Sequence, residues 1–434
     1  MKLIIKFLKK IIPKKVLNLR HFFYAWFGAF VCRHPSEKLF VIGVTGTSGK
    51  SSTVYFATRL LAAAGFRVGA LSTIEFYING ESRLNDKKMT MVGKMFIQKY
   101  LRRMLRAGCE VAIIETTSEG ALQHRHKFIN YDMVALTNLY PEHIEAHGGF
   151  ENYKAAKLAI FKYVAGCKRK NKRNVTIGKT AIVNAECKYK EEFLGFNFDK
   201  KIIFGQGGNY APINLTSDKA GLRFTIGEHQ FSAPMYGEYN IGNLTAAIAV
   251  ARHFGVAWEK IKNIVAGFAN VPGRMEFIPE AEKFGIKIIV DYAFEPGAMG
   301  ELYKVVKLLT PKRVIHVFGA TGGGRDRDRR FVLGDFVGRK ADICIVTNED
   351  PYDDDPMVII KEVAAAAAGG GKILDENLFI EPDRRQAIKK AIDLAATGDL
   401  ILLTGKGSEQ AIVSKSELIP WDDRRIAREI LTLK

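Results

Sequence analysis

The segment Leu39-Phe-Val-Ile-Gly-Val-Thr-Gly-Thr-Ser-Gly-Lys-Ser51 constrains the fold of this 434-residue chain more than any other. The apolar run Leu39 to Val44 is too short for a helix and reads as a buried strand. A glycine-rich turn follows, and a helical pattern then runs from Lys50 to about Gly65. A buried strand that passes through a tight turn into a helix opens a β-α-β unit, so the chain is committed to an α/β fold with a mainly parallel sheet. The turn also carries chemistry. Backbone N–H groups of Gly46, Thr47, Ser48 and Gly49 converge at a helix N-terminus, where anions are favoured. Lys50 can neutralise terminal phosphates, and the Ser51 hydroxyl, with Ser52 beside it, can hold Mg²⁺. Val44 stands where the strict G-x-x-x-x-G-K-[ST] pattern has its first glycine. The remaining core predicts ATP binding.

The alternation continues. Arg67–Thr73, Glu110–Glu115 and Met133–Leu139 read as strands, with helices over Lys94–Ala107 and Asn152–Val164. Lys179–Phe231 is richer in short strands and turns, and Asn240–Phe254 returns to helix. A second α/β unit begins near Val271-Pro-Gly-Arg274, with strands at Ile286–Tyr292, Arg313–Phe318, Ile343–Thr347 and Leu400–Thr404. Ligands of open α/β sheets bind at the carboxyl ends of strands, so the loops after these strands are the expected site-forming ones. The reading is therefore a basic amphipathic segment over residues 1–38, an ATP-binding α/β domain over 39–272, and a Rossmann-like domain over 273–434.

The net charge of +19 favours anionic partners. Eight cations, from Lys2 to Arg33, precede the first acid, Glu37, and a second basic run, Lys168 to Arg173, reads as an exposed loop. No nucleic-acid-binding motif accompanies the charge, which argues against nucleic acid. Five cysteines lie without C-x-x-C pairing, which fits a reducing cytoplasm. The apolar stretches Leu3–Ile12 and Phe22–Val31 fall short of the roughly 20 residues that span a bilayer. The expectation is a cytoplasmic protein whose residues 1–33 suit two readings, a basic amphipathic helix lying peripherally on an anionic membrane surface or a helix packed on the domain behind it with its lysines in water.

Glu115 ends a buried strand, where a carboxylate can ligate Mg²⁺ beside the phosphate loop. His143 and His147, four apart among acids, suggest zinc, but the pattern lacks a third ligand and a helical setting. The order of residues then becomes informative. The phosphate loop, Glu115-Thr-Thr-Ser118, Asn138-Leu-x-x-Glu-His-x-Glu-x-His-Gly148 and Tyr153-Lys-Ala-Ala-Lys157 are followed by Gly237-Glu-Tyr-Asn240-Ile-Gly-Asn243. Val271-Pro-Gly-Arg-Met-Glu276, Asp291-Tyr-Ala293, Asn348-Glu-Asp-Pro351, Gly405-Lys-Gly407 and Asp422-Asp-Arg424 continue the series. Over residues 39–430 this set resembles the Mur ligases, most of all their MurE branch, the tripeptide synthetases.

The resemblance implies an ATP-dependent amide ligase that adds a diamino acid to UDP-MurNAc-L-Ala-D-Glu through an acyl phosphate. Lys50, Glu115, His143 and Lys157 would be catalytic, with Ser51, Glu115 and His143 on magnesium and Lys157 carrying a carbamate. Asn240, Asn243, Arg274 and Asp291 would join the phosphate loop around ATP. Thr117, Ser118, Arg125, Asn348, Asp350, Tyr352, Gly405, Lys406 and Glu409 would contact the nucleotide-sugar peptide and the amino acid. The chain departs from the pattern in four places. The family's UDP-gripping first domain has no counterpart before residue 39, which leaves a membrane-linked acceptor open. Phe294, Glu295 and Gly297 depart from the residues usual after Asp-Tyr-Ala. Tyr352 stands where enzymes using meso-diaminopimelate carry Arg, and the acids Asp353 to Asp355 then point to a cationic side chain such as lysine. Ser408 replaces a customary His. Alternatives are a Mur-fold ligase with another acceptor, of the folylpolyglutamate-synthase, cyanophycin or lipid-linked kind, and an ATP-binding scaffold without catalysis.

Overall fold

The structure, a computed structural model, describes residues 14–141, 147–172, 175–324, 327–415 and 417–434. His143 and residues 1–13 lie outside the described residues. The first strands are β1 (Phe40–Thr45), β2 (Val68–Leu71), β3 (Glu75–Ile78), β4 (Glu81–Leu84), β5 (Val111–Glu115) and β6 (Met133–Leu136). The hairpin β7 (Lys170–Lys172) and β8 (Val175–Ile177) follows, then β9 (Thr180–Asn184) and β10 (Lys200–Phe204). Among the described residues β1 to β6, β9 and β10 form one sheet in the order β10-β9-β6-β1-β5-β2-β3-β4. It is parallel from β10 to β2 and antiparallel across β3 and β4.

Unbroken apolar strands such as Val111-Ala-Ile-Ile suit a sheet covered on both faces. One face packs on the Lys50–Ala63 and Tyr239–His253 helices through Ile42, Val44, Ile113, Leu60 and Leu244. The other packs on Lys94–Arg106 and Phe150–Ala165 through Val41, Ile114, Leu101 and Phe161. The antiparallel strands β11 (Pro212–Asp218), β12 (Gly221–Ile226) and β13 (His229–Ala233) join the first core through Leu222, Phe224 and Phe231.

The second sheet comprises β14 (Glu276–Phe277), β15 (Lys287–Val290), β16 (Val314–Phe318), β17 (Ile343–Val346), β18 (Leu378–Ile380) and β19 (Leu400–Leu403). Their order is β14-β15-β19-β16-β17-β18, all parallel except β14. A hairpin of β20 (Ala411–Ser414) and β21 (Glu417–Pro420) precedes the last helix, Asp423–Leu433.

The basic run Lys168 to Arg173 is not a fully solvated loop. Lys170 is buried at the foot of the sheet, where its ammonium reaches Asp132 and donates to the carbonyls of Leu39 and Asn130, both at 2.7 Å. Lys179, fully buried, donates to the same carboxylate at 3.0 Å. An aspartate able to satisfy two ammoniums and the Val41 N–H (2.9 Å) draws both lysines inward.

The helix Lys14–Val31 packs on Lys94–Arg106 through Gly28, Ala25 and Ala29, which are small enough for close approach. Its other side leaves Leu19, Phe23, Tyr24, Trp26, Phe27 and Phe30 exposed, with Phe23 stacked on Phe27 and Trp26 on Phe30. Among the described residues no helix is long and apolar enough to cross a membrane.

Candidate functional site

The parallel register places Val44 opposite Glu115, so the carboxyl end of β5 lies beside the turn leaving β1. Gly46 and Gly49 are required there. A Cβ on Gly46 would fall 1.8 Å from Thr137 Oγ1, and one on Gly49, whose φ is +74°, would fall 2.2 Å from Asn243 Oδ1. The loop is braced from β6. Asn138 Oδ1 accepts from the N–H groups of Thr47 (3.0 Å) and Ser48 (2.9 Å), and Thr137 donates to the Ser48 carbonyl at 2.6 Å. Asn243, on the Tyr239–His253 helix, packs against Gly49 and donates to Asn240 of the same helix at 3.3 Å.

Ser51 begins the second helical position and donates to Glu115 Oε1 at 2.9 Å in a buried contact. The other carboxylate oxygen accepts from the Thr73 N–H (2.7 Å) and hydroxyl (3.0 Å). A hydroxyl and a carboxylate this close supply the hard oxygen ligands that magnesium prefers, so these residues fit the ion the phosphate loop implies. Lys50 donates to the Thr47 carbonyl at 2.7 Å.

Lys157 is 1 % exposed although it sits on an alanine-rich helix. Its ammonium donates to the Gly46 carbonyl at 2.6 Å and lies 4.5 Å from the Tyr153 ring centroid, while the Tyr153 hydroxyl donates to Thr47 Oγ1 at 3.1 Å. Thr117 caps the short Ser118–Leu122 helix by accepting from the Gly120 N–H, and Ser118 Oγ lies 3.2 Å from His147 Nε2. Arg125 donates to the Met91 carbonyl and to Gln123 (2.7 Å), which holds it against the segment before Lys94.

A second cluster forms where β17 and β19 end. Lys406, fully buried, donates to Asp350 Oδ1 at 3.0 Å and Glu409 Oε2 at 2.8 Å. Burial alone would lower the Lys406 ammonium, but Glu409 and Asp350 outweigh it and raise its pKa. Lys88, which belongs to the first α/β unit, enters the same cluster. Its ammonium pairs with Asp350 and lies 3.2 Å from Glu409 Oε2. Tyr292 donates to Glu409 at 3.1 Å, and Arg274 stacks 4.2 Å from the centroid of that ring. Glu349 is buried, and desolvation, reinforced by Asp350, pushes its carboxyl up to about 7. A Cβ on Gly405, at φ +94°, would strike Glu349 Oε2 at 2.5 Å. Asn348 offers its carbonyl to Arg384 at 3.3 Å, and that arginine is paired bidentately with Asp423 at 2.8 and 2.6 Å. Asp291 spends both oxygens on the N–H groups of Met275 (2.7 Å) and Ala293 (2.6 Å).

Two stretches of the chain match models of known families. Residues 44–251 match the Mur ligase middle domain, and residues 273–407 match the Mur ligase, glutamate ligase domain. A UDP-N-acetylmuramyl-tripeptide synthetase from Roseiflexus sp. (strain RS-1) is 34 % identical over 412 residues, covering 92 % of this chain and 79 % of that protein. The chain belongs to the Mur ligase family. A UDP-N-acetylmuramoyl-L-alanyl-D-glutamate--2,6-diaminopimelate ligase from Aquifex aeolicus is 32 % identical to this Mur ligase, covering 92 % of the chain and 78 % of that protein. Among solved structures, a folylpolyglutamate synthase from Mycobacterium tuberculosis with ADP and AMPPCP aligns with a TM-score of 0.70 at 16 % identity. That alignment covers 96 % of this chain and 99 % of the other, and at such identity it speaks for the fold alone. As a Mur ligase the protein is an ATP-dependent, carbon–nitrogen-bond-forming enzyme.

In this Mur ligase the residues picked out by sequence fall into two groups. Gly46 to Ser52, Glu115, Lys157, Asn240 and Asn243 gather around the phosphate loop, while Arg274, Asp350, Lys406 and Glu409 gather at the end of the second sheet. Tyr352 accepts through its carbonyl from Lys415 N–H at 2.6 Å, and its ring covers Gly323. Two of the three acids after it are engaged elsewhere. Asp355 caps the Pro356–Gly369 helix, and Asp354 accepts from Gly323 and Arg330. The carboxylates that converge on Lys406 and Lys88 are instead Asp350 and Glu409, with Glu349 buried beside them. Sequence reasoning overlooked Thr73, Lys88 and Tyr292 as site residues. A Thr after a buried strand was a visible signal for the first, whereas Lys88 offered none.

Proposed function

We propose that this Mur ligase joins an amino acid, of the diamino class, to the D-glutamyl carboxylate of UDP-MurNAc-L-Ala-D-Glu or a related muramoyl peptide. ATP phosphorylates that carboxylate to give an acyl phosphate and ADP. The amine attacks the acyl carbon and loses a proton, and inorganic phosphate departs to leave the amide. The carboxylate becomes electrophilic only when its oxygen joins a leaving group, and cations must offset the crowding of anions. Lys50 would neutralise the β- and γ-phosphates, and Ser51 with Glu115 and His143 would hold Mg²⁺. Lys157 would carry a carbamate formed with CO₂, which would turn its buried cation into an oxygen ligand. Asp350, Lys406 and Glu409 would orient the amino acid, and Thr117, Ser118 and Arg125 the peptide.

The observation that carries this reading is the contact between its two halves. The loop bearing Lys88 reaches Thr73 and the Ser51–Glu115 pair through Thr90 at one end and Asp350 and Glu409 at the other. In this reading that loop links the nucleotide end of the reaction to the amine end. Relatives named for adding 2,6-diaminopimelate to the L-alanyl-D-glutamate acceptor support the substrate class. The test is phosphate release with Mg·ATP and UDP-MurNAc-L-Ala-D-Glu, and separately with a lipid-linked muramoyl peptide, as meso-diaminopimelate, L-lysine or L-ornithine is added. Release that requires both acceptor and amino acid is expected. ATP binding without turnover on either acceptor refutes the proposal.

The enzyme also works at a membrane surface in this proposal, through residues 1–33. The exposed rings of Phe23, Trp26, Phe27 and Phe30 support it, as do the exposed Arg20, Arg33, Lys99, Arg103 and Arg106 around them. Co-sedimentation with vesicles containing anionic lipid should be lost when those four rings are changed to Ser. Retention at the parent level refutes it.

A further inference from the structure

We propose that Lys88 is a built-in occupant of the amine site: its ammonium sits where an ammonium group of the incoming amino acid binds, and the substrate enters by displacing it. This deepens the ligase reading above and rests on it for the identity of the substrate. Three acceptors surround the Lys88 nitrogen, namely Asp350, Glu409 Oε2 at 3.2 Å and the Ala411 carbonyl at 3.3 Å. Two carboxylates and a carbonyl are a socket for a primary ammonium, and the lysine side chain that fills it is only 9 % exposed. The socket has acceptor capacity to spare. Glu349 is 3 % exposed and its Oε2 makes no hydrogen bond, although Asp350, Lys406 and Glu409 all act on it electrostatically. A buried, unsatisfied carboxyl oxygen beside an ammonium socket marks room for more positive charge than Lys88 brings.

Lys88 is also held unfavourably. Its φ is +47°, a left-handed conformation that is strained for a residue with a Cβ. Burial and then the neighbouring Lys406 lower its pKa, so two ammoniums compete for the same pair of carboxylates. A free amine that brings its own carboxylate and a second charge can supplant it. Release of Lys88 would free the segment whose Thr90 Oγ1 lies 3.0 Å from the Thr73 hydroxyl, the same hydroxyl that lies 3.0 Å from Glu115 Oε2. Amine arrival is thereby linked to the carboxylate paired with Ser51.

An internal occupant weakens apparent affinity by the fraction of molecules in which the socket is vacated. The test is equilibrium dialysis of radiolabelled L-lysine, L-ornithine and meso-diaminopimelate against the full-length protein with Mg²⁺ and a non-hydrolysable ATP analogue. Lys88→Met keeps the stem and removes the charge, and Lys88→Gln serves as a second variant should the first fold poorly. The expected result is at least one of the three amines bound about tenfold more tightly by the variant, with affinity for the ATP analogue unchanged, and loss of that binding in Asp350→Asn. Equal or weaker binding of all three, binding by neither protein, or binding that survives Asp350→Asn overturns the inference. Turnover by the parent enzyme with no gain in the variant removes Lys88 alone. A gain in the variant with no turnover removes the ligase reading and leaves the socket.

Discussion

Glu115→Gln separates what the carboxylate does for the fold from what it does for a metal ion. In the folded protein one oxygen accepts from Ser51 at 2.9 Å, and the other accepts from the Thr73 N–H at 2.7 Å and hydroxyl at 3.0 Å. A glutamine can turn its carbonyl oxygen toward Thr73 and keep both of those bonds. Its amide nitrogen then faces Ser51, whose hydroxyl can rotate and accept instead of donate. The hydrogen-bond count is conserved, and only the charge assistance is lost. Three bonds each lose charge assistance of roughly 1 kcal/mol, but a neutral amide also escapes the cost of burying a carboxylate, which offsets most of that, so the net stability cost should be about 1 kcal/mol. The effect on function should be far larger. An amide is a weak magnesium ligand, and the site loses a full negative charge in a buried setting, so turnover should fall by at least about a hundredfold, or about 2.7 kcal/mol of barrier. Urea denaturation gives the first number and ADP production across a magnesium titration the second, with a higher magnesium requirement in the variant. Turnover within about fivefold of the parent, at unchanged magnesium dependence, refutes the assignment. A stability loss of 3 kcal/mol or more refutes the hydrogen-bond reasoning.

Three further outcomes follow from the geometry. Asp132→Asn leaves Lys170 and Lys179 buried without their counter-ion, and urea denaturation should show a loss of about 3–5 kcal/mol, with little change expected if the pair were solvated. Gly273→Ala should cost at least about 2 kcal/mol, since φ is +66° and the new Cβ would lie 2.1 Å from the Ser408 nitrogen, backbone that cannot swing aside. Thermal melting checks it, and an unchanged melting temperature contradicts the packing. Glu349 has a folded-state pKa of about 7 against an ordinary 4.5, so the native state binds the extra proton and this group's contribution to stability is lost as pH rises from 4.5 through 7. Glu349→Gln should therefore gain on the parent across that window and be more stable by up to about 3 kcal/mol at pH 8, as read from denaturation midpoints at several pH values.

Much of the nucleotide half was legible because its signals are local. Strand, glycine turn and helix follow one another from Leu39 to Ala63, and Glu115 reveals itself by ending an apolar run. Lys157 was legible only through the order of motifs around it. An alanine-rich helix carries no mark of which face is buried, and the Gly46 carbonyl that accepts its hydrogen bond is 111 residues away in the chain. Lys170 was misjudged for the same reason in reverse: in a run of six residues holding four other cations it looks solvated until Asp132 is brought beneath it. The acids Asp354 and Asp355 drew notice because they cluster in sequence, yet one caps a helix and the other steadies Gly323. Lys88 is the extreme case, with its carboxylate partner 262 residues away and only tertiary folding to join them.

The bracing of the phosphate loop by Asn138 has a kinetic consequence. Two of the loop's amides, those of Thr47 and Ser48, are already satisfied by a side chain, and Thr137 anchors the carbonyl between them and Gly49. These bonds lie wholly within the protein, so the loop's shape is set by folding, which reduces the ordering that nucleotide binding has to supply. A mould set in advance is fast to fill, but it grips whatever shares the shape. ADP presents the same β-phosphate as ATP, so a loop of fixed shape should accept both, and ADP should compete with ATP for it.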